Sequence, residues 1–175
     1  MKTTFSIFAS ILLAVMAISC GNSQQPSARV SEFVFPDSTG ADEIMIPYEP
    51  QGSHEVVTVA FNGVPMNLLW DTGCSTTTIP VTEYNRMVRE QKITVYDYAG
   101  TRQAQIADGS IVESFVFNIS TVTFHTTDGQ PFELHDVAIT VSPNPNSSLL
   151  LGKNIIDRLG QYRRDEQETC FVFKK

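Results

Sequence analysis

LLWDTGCSTTTIP, residues 68–80, places a single carboxylate, Asp71, between an apolar run and a cluster of small hydroxyl residues. A polar group among buried neighbours costs free energy unless it is paired. The tripeptide Asp71-Thr72-Gly73 is a weak signal by itself, and taken alone it favours an Asx turn in which the carboxylate caps nearby amides. If the loop instead lies at a cleft, the Thr72 hydroxyl can satisfy backbone groups and Gly73 lets two backbones approach closely.

A β-hairpin is predicted directly before Asp71. Residues 55–61, EVVTVAF, are apolar and β-branched, and Asn62-Gly63 is typical of a two-residue turn. Residues 65–70 then return as a second strand. Asp71 is therefore expected in a loop between two buried strands.

The rest of the chain predicts short strands and one or two short helices. The apolar spacing favours a helix over residues 81–89, and a second helix is expected from Gly152 through Leu159. Residues 162–168 are interpreted as a solvated charged turn. Strands are predicted over residues 93–98, 103–107, 111–118, 121–125, 132–141, 149–151 and 169–173. Many short strands at regular spacing indicate a sheet closed into a barrel.

The composition is that of one globular domain. The 175 residues are 42% hydrophobic and 18% charged, which leaves no room for two large domains. Acidic residues outnumber basic ones by 19 to 12, for a net charge of −7. Removal of residues 1–19 would take away only Lys2, leaving 11 basic against 19 acidic residues, or −8. This balance disfavours nucleic acid and anionic lipid as direct partners.

The first nineteen residues have the features of a secretory signal peptide. Lys2 is followed by a short apolar core and small residues, a run too short to be read as a transmembrane helix. AISC, residues 17–20, resembles the lipobox of bacterial lipoproteins, although Ala17 stands where leucine is common. The resemblance implies that Cys20 is lipidated and that the protein is exported to the bacterial cell envelope, in the periplasm or at the outer membrane. Plain secretion, with Cys20 removed or free, is the alternative.

The predicted organisation has three parts. A signal peptide covers residues 1–19, a lipidated cysteine with a flexible tether covers residues 20–41, and one folded domain covers residues 42–175. The small polar residues after Cys20 are typical of a tether, and two acyl chains would anchor it stably. The domain keeps Cys74 and Cys170, which an exported protein could pair. Small buried thiols are the favoured alternative.

Three segments in order resemble the retropepsin-like aspartic proteases, the family of the retroviral proteases and their bacterial relatives. NGVP followed by LLWDTGCS resembles the family's hairpin and aspartate motif. IADGS, residues 106–110, lies where the family carries its flap hairpin, and LLLGKNIIDRLG, residues 149–160, resembles its second signature. The agreement covers residues 55–173. The resemblance implies an all-β fold, a closed acid-protease barrel with a flap hairpin and one or two short helices.

The resemblance also implies an aspartic-type endopeptidase, a hydrolase that uses no cofactor and no metal. This chemistry needs a carboxylate to activate water and a carboxylic acid, and two aspartates about 3 Å apart share a proton so that both roles coexist. The chain has one such motif, so a homodimer with its two-fold axis between two copies of Asp71 would supply the second aspartate. The expected partners are a peptide or protein substrate, a second copy of the chain and, through the lipid anchor, a membrane.

Roles around Asp71 follow from the same resemblance. Asp71 is the catalytic acid or base, Thr72 locks the two loops across the axis, and Gly73 allows their close approach. The flap and substrate-binding positions are Ala107, Asp108 and Gly109, and the packing positions behind the loop are Leu151 and Gly152. The flap has one glycine, and Lys153 stands where retroviral relatives usually carry arginine.

A second class of function stays open. The same fold could serve a catalytically inactive, membrane-anchored binding or scaffold lipoprotein, because neither the charge nor the tether bears on catalysis. Zinc chemistry is not indicated, since His54, His125 and His135 have no paired spacing. The resemblance further implies a cleft that holds an extended peptide with apolar side chains in alternating pockets.

Overall fold

The structure is a computed structural model that describes residues 43–105 and 109–174. Within these residues the fold is predominantly β, with two short helices, α1 (Val81–Arg89) and α2 (Lys153–Leu159). The strands are β1 (Glu43–Pro47), β2 (Glu49–Gln51), β3 (His54–Phe61), β4 (Val64–Trp70), β5 (Thr78–Pro80), β6 (Tyr98–Gln105), β7 (Ile111–His125), β8 (Pro131–Ser142), β9 (Leu150–Leu151), β10 (Tyr162–Asp165) and β11 (Cys170–Lys174). The predicted all-β class and both predicted helices are confirmed.

Six strands close into a barrel. β3 pairs with β4, β4 with β9, β9 with β5, β5 with β8, β8 with β7, and β7 returns to β3. The closing contact joins residues 59–61 of β3 to residues 122–124 of β7. β2 extends the sheet beside β3, and β6 extends it beside β7 to form the flap hairpin. The predicted closed barrel with a flap hairpin is confirmed.

Side chains of the barrel strands and of β1 and β11 together form the hydrophobic core. α1 buries Met87 against this core, while α2 buries Ile155, Ile156 and Leu159. The largest fully buried side chains are Phe61, Phe124, Phe171, Phe173, Ile46, Leu68, Ile79, Met87, Ile93, Ile119, Ile139 and Leu151. The aspartate loop that follows β4 is therefore built directly on the core.

The hairpin before Asp71 has the predicted two-residue turn. Asn62 and Gly63 both adopt left-handed backbone conformations, with φ of 48° and 83°, and Phe61 pairs with Val64 across the turn. Asparagine followed by glycine is the pair that accepts this geometry at least cost. The Asn62 side chain also donates to the Lys92 carbonyl at 2.8 Å, which ties the turn to the chain beyond α1.

A second, three-stranded antiparallel sheet has the order β1-β11-β10. Its presence corrects the prediction of a charged turn over residues 162–168, because Tyr162–Asp165 is a strand paired with β11. The Tyr162 ring packs edge-on against Trp70, with centroids 5.2 Å apart, and this burial holds the segment in the sheet. The charged residues thus form a turn only after Asp165.

Residues 93–98 do not form the predicted strand. They contain a 3₁₀ helix, Val95–Asp97, because Thr94 caps it. The Thr94 hydroxyl accepts from the Tyr96 amide at 3.3 Å, and its own amide donates to the Asp97 carboxylate at 2.7 Å. This local capping outweighs the apolar, β-branched composition.

The strands predicted over residues 111–118 and 121–125 are one strand, β7. Its pairing with β8 continues on both sides of Ser120, with Ile119 opposite Val137 and Thr121 opposite His135. The long β7 therefore belongs to the flap at one end and to the barrel at the other.

Several predictions lie outside the described residues. These are the signal peptide over residues 1–19, the tether over residues 20–41 with the lipidation site Cys20, and the flap residues Ala107 and Asp108. In the described part of the chain, neither helix is long and apolar enough to cross a membrane.

Candidate active site

Asp71 begins a loop where β4 leaves the barrel. β4 runs parallel to β9, with Trp70 opposite Leu151, and the Asp71 amide donates to the Leu151 carbonyl at 3.0 Å. Trp70, the residue before Asp71, is 9% exposed and stacks on Phe171 with ring centroids 4.1 Å apart. The start of the loop is therefore fixed by a strand pair and by an aromatic stack.

The Asp71 carboxylate uses one oxygen to shape its own loop. Its Oδ1 accepts from the Gly73 amide at 2.8 Å and from the Cys74 amide at 3.2 Å, which is the geometry of an Asx turn. Its Oδ2 has no hydrogen-bond partner among the described residues. Asp71 is half-buried rather than buried, while Thr72 and Gly73 are exposed. The Asx turn and an oxygen open to a ligand thus coexist in one side chain.

Gly152 lies against the back of the aspartate loop. A Cβ at this position would come within 2.5 Å of the Thr76 carbonyl carbon, 2.7 Å of the Thr77 nitrogen and 2.9 Å of the Cys74 oxygen. Side-chain carbons do not approach backbone atoms this closely, so only glycine fits. Because all three neighbours are backbone atoms, Gly152 sets the position of the loop.

Hydrogen bonds cross the same gap between the loop and the start of α2. The Lys153 amide donates to the Cys74 carbonyl at 2.8 Å, and the Gly152 amide donates to the Thr77 hydroxyl at 3.0 Å. Asn154 accepts from the Thr77 amide at 2.7 Å and from its hydroxyl at 3.0 Å, and donates to the Ala138 carbonyl at 2.8 Å. Thr77 and Asn154 were not predicted as site residues, because nothing in the sequence places them side by side.

A cleft of about 800 Å³ lies between the aspartate loop and the flap hairpin. It brings together Asp71, Gly73 and the flap residue Gly109, whose carbonyl accepts from the Gln105 side chain at 3.1 Å. Most of its other lining residues carry hydroxyl groups: Ser75, Thr76, Thr78, Ser114, Thr140, Ser142, Ser147 and Ser148. These hydroxyl groups are interspersed with the apolar side chains of Val112 and Leu150.

One basic side chain reaches into this cleft from the flap. Arg102 lies on β6 opposite Ser114, and its guanidinium donates to the Thr76 hydroxyl in the aspartate loop. Arg102 and Asp71 are the charged residues among the described residues that line the cleft. The sequence contains Arg102 in an ordinary polar strand and offers no sign that it faces Asp71's cleft.

Comparison with known proteins identifies the family. The model of one family, described as "gag-polyprotein putative aspartyl protease", matches residues 57–158, which is more than half of the chain. The chain belongs to this aspartyl protease family. The match runs from β3 through α2 and so includes Asp71, the flap hairpin and Gly152.

Two solved structures of aspartic proteases are similar to parts of the chain. A retropepsin-like aspartic protease from Rickettsia conorii is 18% identical, with a TM-score of 0.55, over 75% of this chain and 89% of that chain. EIAV protease complexed with the inhibitor HBY-793 is 24% identical, with a TM-score of 0.42, over 64% of this chain and 93% of that chain. The first likeness shows the retropepsin-like fold. A search of curated proteins gives no match.

The two cysteines of this aspartyl protease domain are free thiols. Cys74 is half-buried at the cleft, and its Sγ donates to the Thr76 carbonyl at 3.0 Å. Cys170 is buried in β11, and burial raises the pKa of its thiol. Lys153, where retroviral relatives usually carry arginine, forms an ion pair with Asp157 at 3.0 Å on the surface of α2. Among the described residues, no cluster of three metal-ligating side chains is present.

Proposed function

We propose that the protein is an aspartic endopeptidase whose active site is completed by a second copy of the chain. The observation that carries the proposal is the setting of Asp71, which is the acid among the described residues lining the cleft. A single carboxylate cannot act as base and acid together, so the second group must come from elsewhere. A two-fold axis beside Asp71 would bring the same residue from the partner.

The chemistry of such a pair follows from the proximity of two carboxyl groups. Two aspartates about 3 Å apart cannot both ionise, so they share one proton. The ionised carboxylate takes a proton from water, and the protonated one polarises the peptide carbonyl. In each copy Oδ1 of Asp71 is held by the amides of Gly73 and Cys74, which leaves Oδ2 for the shared proton and the water.

The exposed tip of the loop supports a dimer across this surface. Thr72 and Gly73 are exposed in the single chain although they follow a buried strand. In the proposed dimer Thr72 contacts the partner loop, and Gly73 lets the two backbones approach. Gly109 of the flap, in the same cleft, would cover the bound peptide together with Ala107 and Asp108.

Cleavage of a peptide library by the purified protein tests the proposal. We expect cleavage that is inhibited by pepstatin, abolished in Asp71→Ala, and lost on dilution as the dimer dissociates. Analytical ultracentrifugation at the same concentrations should place the loss of activity at the dimer–monomer transition. Cleavage that persists in Asp71→Ala would remove the assignment to this residue. No cleavage by a protein that stays monomeric would favour the inactive binding or scaffold lipoprotein.

We further propose that the protein is exported and held on a bacterial membrane by a lipid on Cys20. The support is the AISC sequence after an apolar leader. Metabolic labelling with a radioactive fatty acid, comparing wild type with Cys20→Ser, tests this. Label is expected in the wild type alone, and equal labelling of both proteins would exclude the anchor.

A further inference from the structure

Arg102 holds a charge inside the cleft that the proposed reaction does not use. Its guanidinium has five donor N–H groups, and the described residues accept from one nitrogen, through the Thr76 hydroxyl. Three other arginines have carboxylate partners: Arg86 with Glu83, Arg163 with Asp165, and Arg164 with Glu55 and Glu166. Within the described part of the chain, Arg102 has none. It therefore presents unused donors to whatever occupies the cleft.

The placement of Arg102 directs these donors at a ligand rather than at solvent on the far side of the flap. Residues opposite one another in an antiparallel pair share a face of the sheet. Arg102 is opposite Ser114, which is 5% exposed and lines the cleft, and the guanidinium crosses to Thr76 in the aspartate loop. The side chain thus lines the cleft that a bound peptide would fill.

Ser147 is a second polar residue of the cleft lining that a ligand could pair with. Ser147 lines the cleft, and its buried hydroxyl has no hydrogen-bond partner among the residues that the structure describes. A buried polar group of this kind costs free energy until something pairs with it. The hydroxyls of Thr78 and Thr140, by contrast, bond to each other at 2.7 Å and to the Thr76 and Thr77 carbonyls, so they already have partners.

Arg102 is the cation among the described residues that line the cleft. In the proposed dimer the two Asp71 carboxyls share a proton and together carry one negative charge. Each copy contributes one Arg102 to the cleft. A guanidinium binds a carboxylate through two parallel hydrogen bonds, which an amide or an alkyl group cannot match.

We propose that the cleft selects peptides with an aspartate or glutamate side chain at one subsite, and that Arg102 is the residue that recognises it. This specificity rests on the proposed peptidase function and adds a substrate class to it. The competing explanation is that Arg102 only ties the flap strand to the aspartate loop. If Arg102 only connects the two segments, its replacement should lower activity towards every peptide. If Arg102 recognises an acidic side chain, its replacement should lower activity towards acidic peptides only.

The test uses fluorogenic peptides in matched sets that differ only in Glu, Gln or Lys at each position near the cleaved bond. For the full-length protein we expect kcat/KM for Glu to exceed that for Gln by about tenfold at one position. Arg102→Gln should bring this ratio to about one, Arg102→Lys should keep part of it, and Arg102→Glu should favour Lys instead. Arg89→Gln, an exposed arginine on α1 outside the cleft, removes the same charge and should leave the ratio unchanged.

Binding to Asp71→Asn separates this inference from the proposed reaction. Fluorescence anisotropy of the same peptides should give tighter binding of the Glu peptide, with the preference lost in the Asp71→Asn, Arg102→Gln double variant. If no peptide is cleaved but this preference is measured, the peptidase proposal fails and acidic recognition stands. The inference would be overturned if the Glu to Gln ratio of kcat/KM is one in wild type, or if that ratio is unchanged in Arg102→Gln. It would also be overturned if no acidic peptide binds.

Discussion

Replacing Gly152 by alanine is a direct perturbation of the aspartate loop. The added Cβ would lie 2.5 Å from the Thr76 carbonyl carbon, and an ordinary contact between carbons is about 3.5 Å, so the backbone must retreat by about 1 Å. Overpacking of this kind costs about 1–3 kcal/mol. The retreat also stretches the hydrogen bonds from Gly152 to Thr77 and from Lys153 to Cys74, each worth about 1 kcal/mol. We expect the free energy of unfolding to fall by about 3 kcal/mol.

Unfolding in urea at fixed protein concentration measures this loss. Trp70 is the single tryptophan, and it is adjacent to Asp71, so its fluorescence reports on the site itself. The melting temperature should fall by about 10 °C. A displacement of about 1 Å in a catalytic group can lower the rate roughly a hundredfold. The rate of peptide cleavage should therefore fall by more than the loss of folded protein accounts for.

Gly129→Ala is the matched control for Gly152→Ala. A Cβ at Gly129 meets nothing within 4 Å, and its φ of +78° should cost about 1 kcal/mol of backbone strain. This turn is remote from the cleft, so cleavage should be unchanged. A Gly152→Ala protein that unfolds within about 0.5 kcal/mol of wild type and cleaves normally would refute the close-approach reasoning.

Three further predictions follow from the structure. Asn154→Ala should lower the free energy of unfolding in urea by about 3 kcal/mol, because it removes the hydrogen bonds to the Thr77 amide, the Thr77 hydroxyl and the Ala138 carbonyl. Asn154→Asp keeps the two bonds that Asn154 accepts from Thr77 and should cost less. The Glu168 amide and the Arg163 guanidinium lower the pKa of Asp165 in the folded protein. The ionised carboxylate therefore stabilises the fold fully above the unfolded pKa of about 3.9, and this stabilisation is lost as the pH falls through the folded pKa. The stability difference between wild type and Asp165→Asn at pH 7 should therefore shrink below about pH 4, and a difference that is constant with pH would contradict the assignment. Iodoacetamide should modify Cys74 of the native protein well before Cys170, because the Cys170 thiol is buried and has a raised pKa. Mass spectrometry would locate the label, and equal labelling rates at the two cysteines would contradict the burial of Cys170.

The elements with strong local signals were predictable from sequence. Asn62-Gly63 determines its turn through backbone conformation alone, and α1 follows from the spacing of apolar residues over one face. The closed barrel and its flap hairpin followed from the order of three matched segments. For the turn and the helix, the information lies within a few neighbouring residues. For the barrel and the flap, it lies in the order of segments that resemble those of the family.

Features that depend on distant contacts were not predictable. Tyr162 belongs to a strand because it packs on Trp70, which is ninety-two residues away, and the charged residues beside it indicate a turn instead. Arg102 faces the cleft because of its register with Ser114 on β7. Thr77 and Asn154 meet only when β9 brings α2 behind the loop. Tertiary packing outweighs local preference at each of these positions.

The central claim is that one active site contains Asp71 from two copies of the chain. Wild type and Asp71→Asn should be mixed at varying ratios and constant total concentration, equilibrated by dilution and reconcentration, and assayed for peptide cleavage. If only dimers with two wild-type copies are active, activity follows the square of the wild-type fraction, and an equal mixture should retain about a quarter of full activity. Activity that falls in direct proportion to the wild-type fraction, with about half retained in the equal mixture, would contradict a shared site.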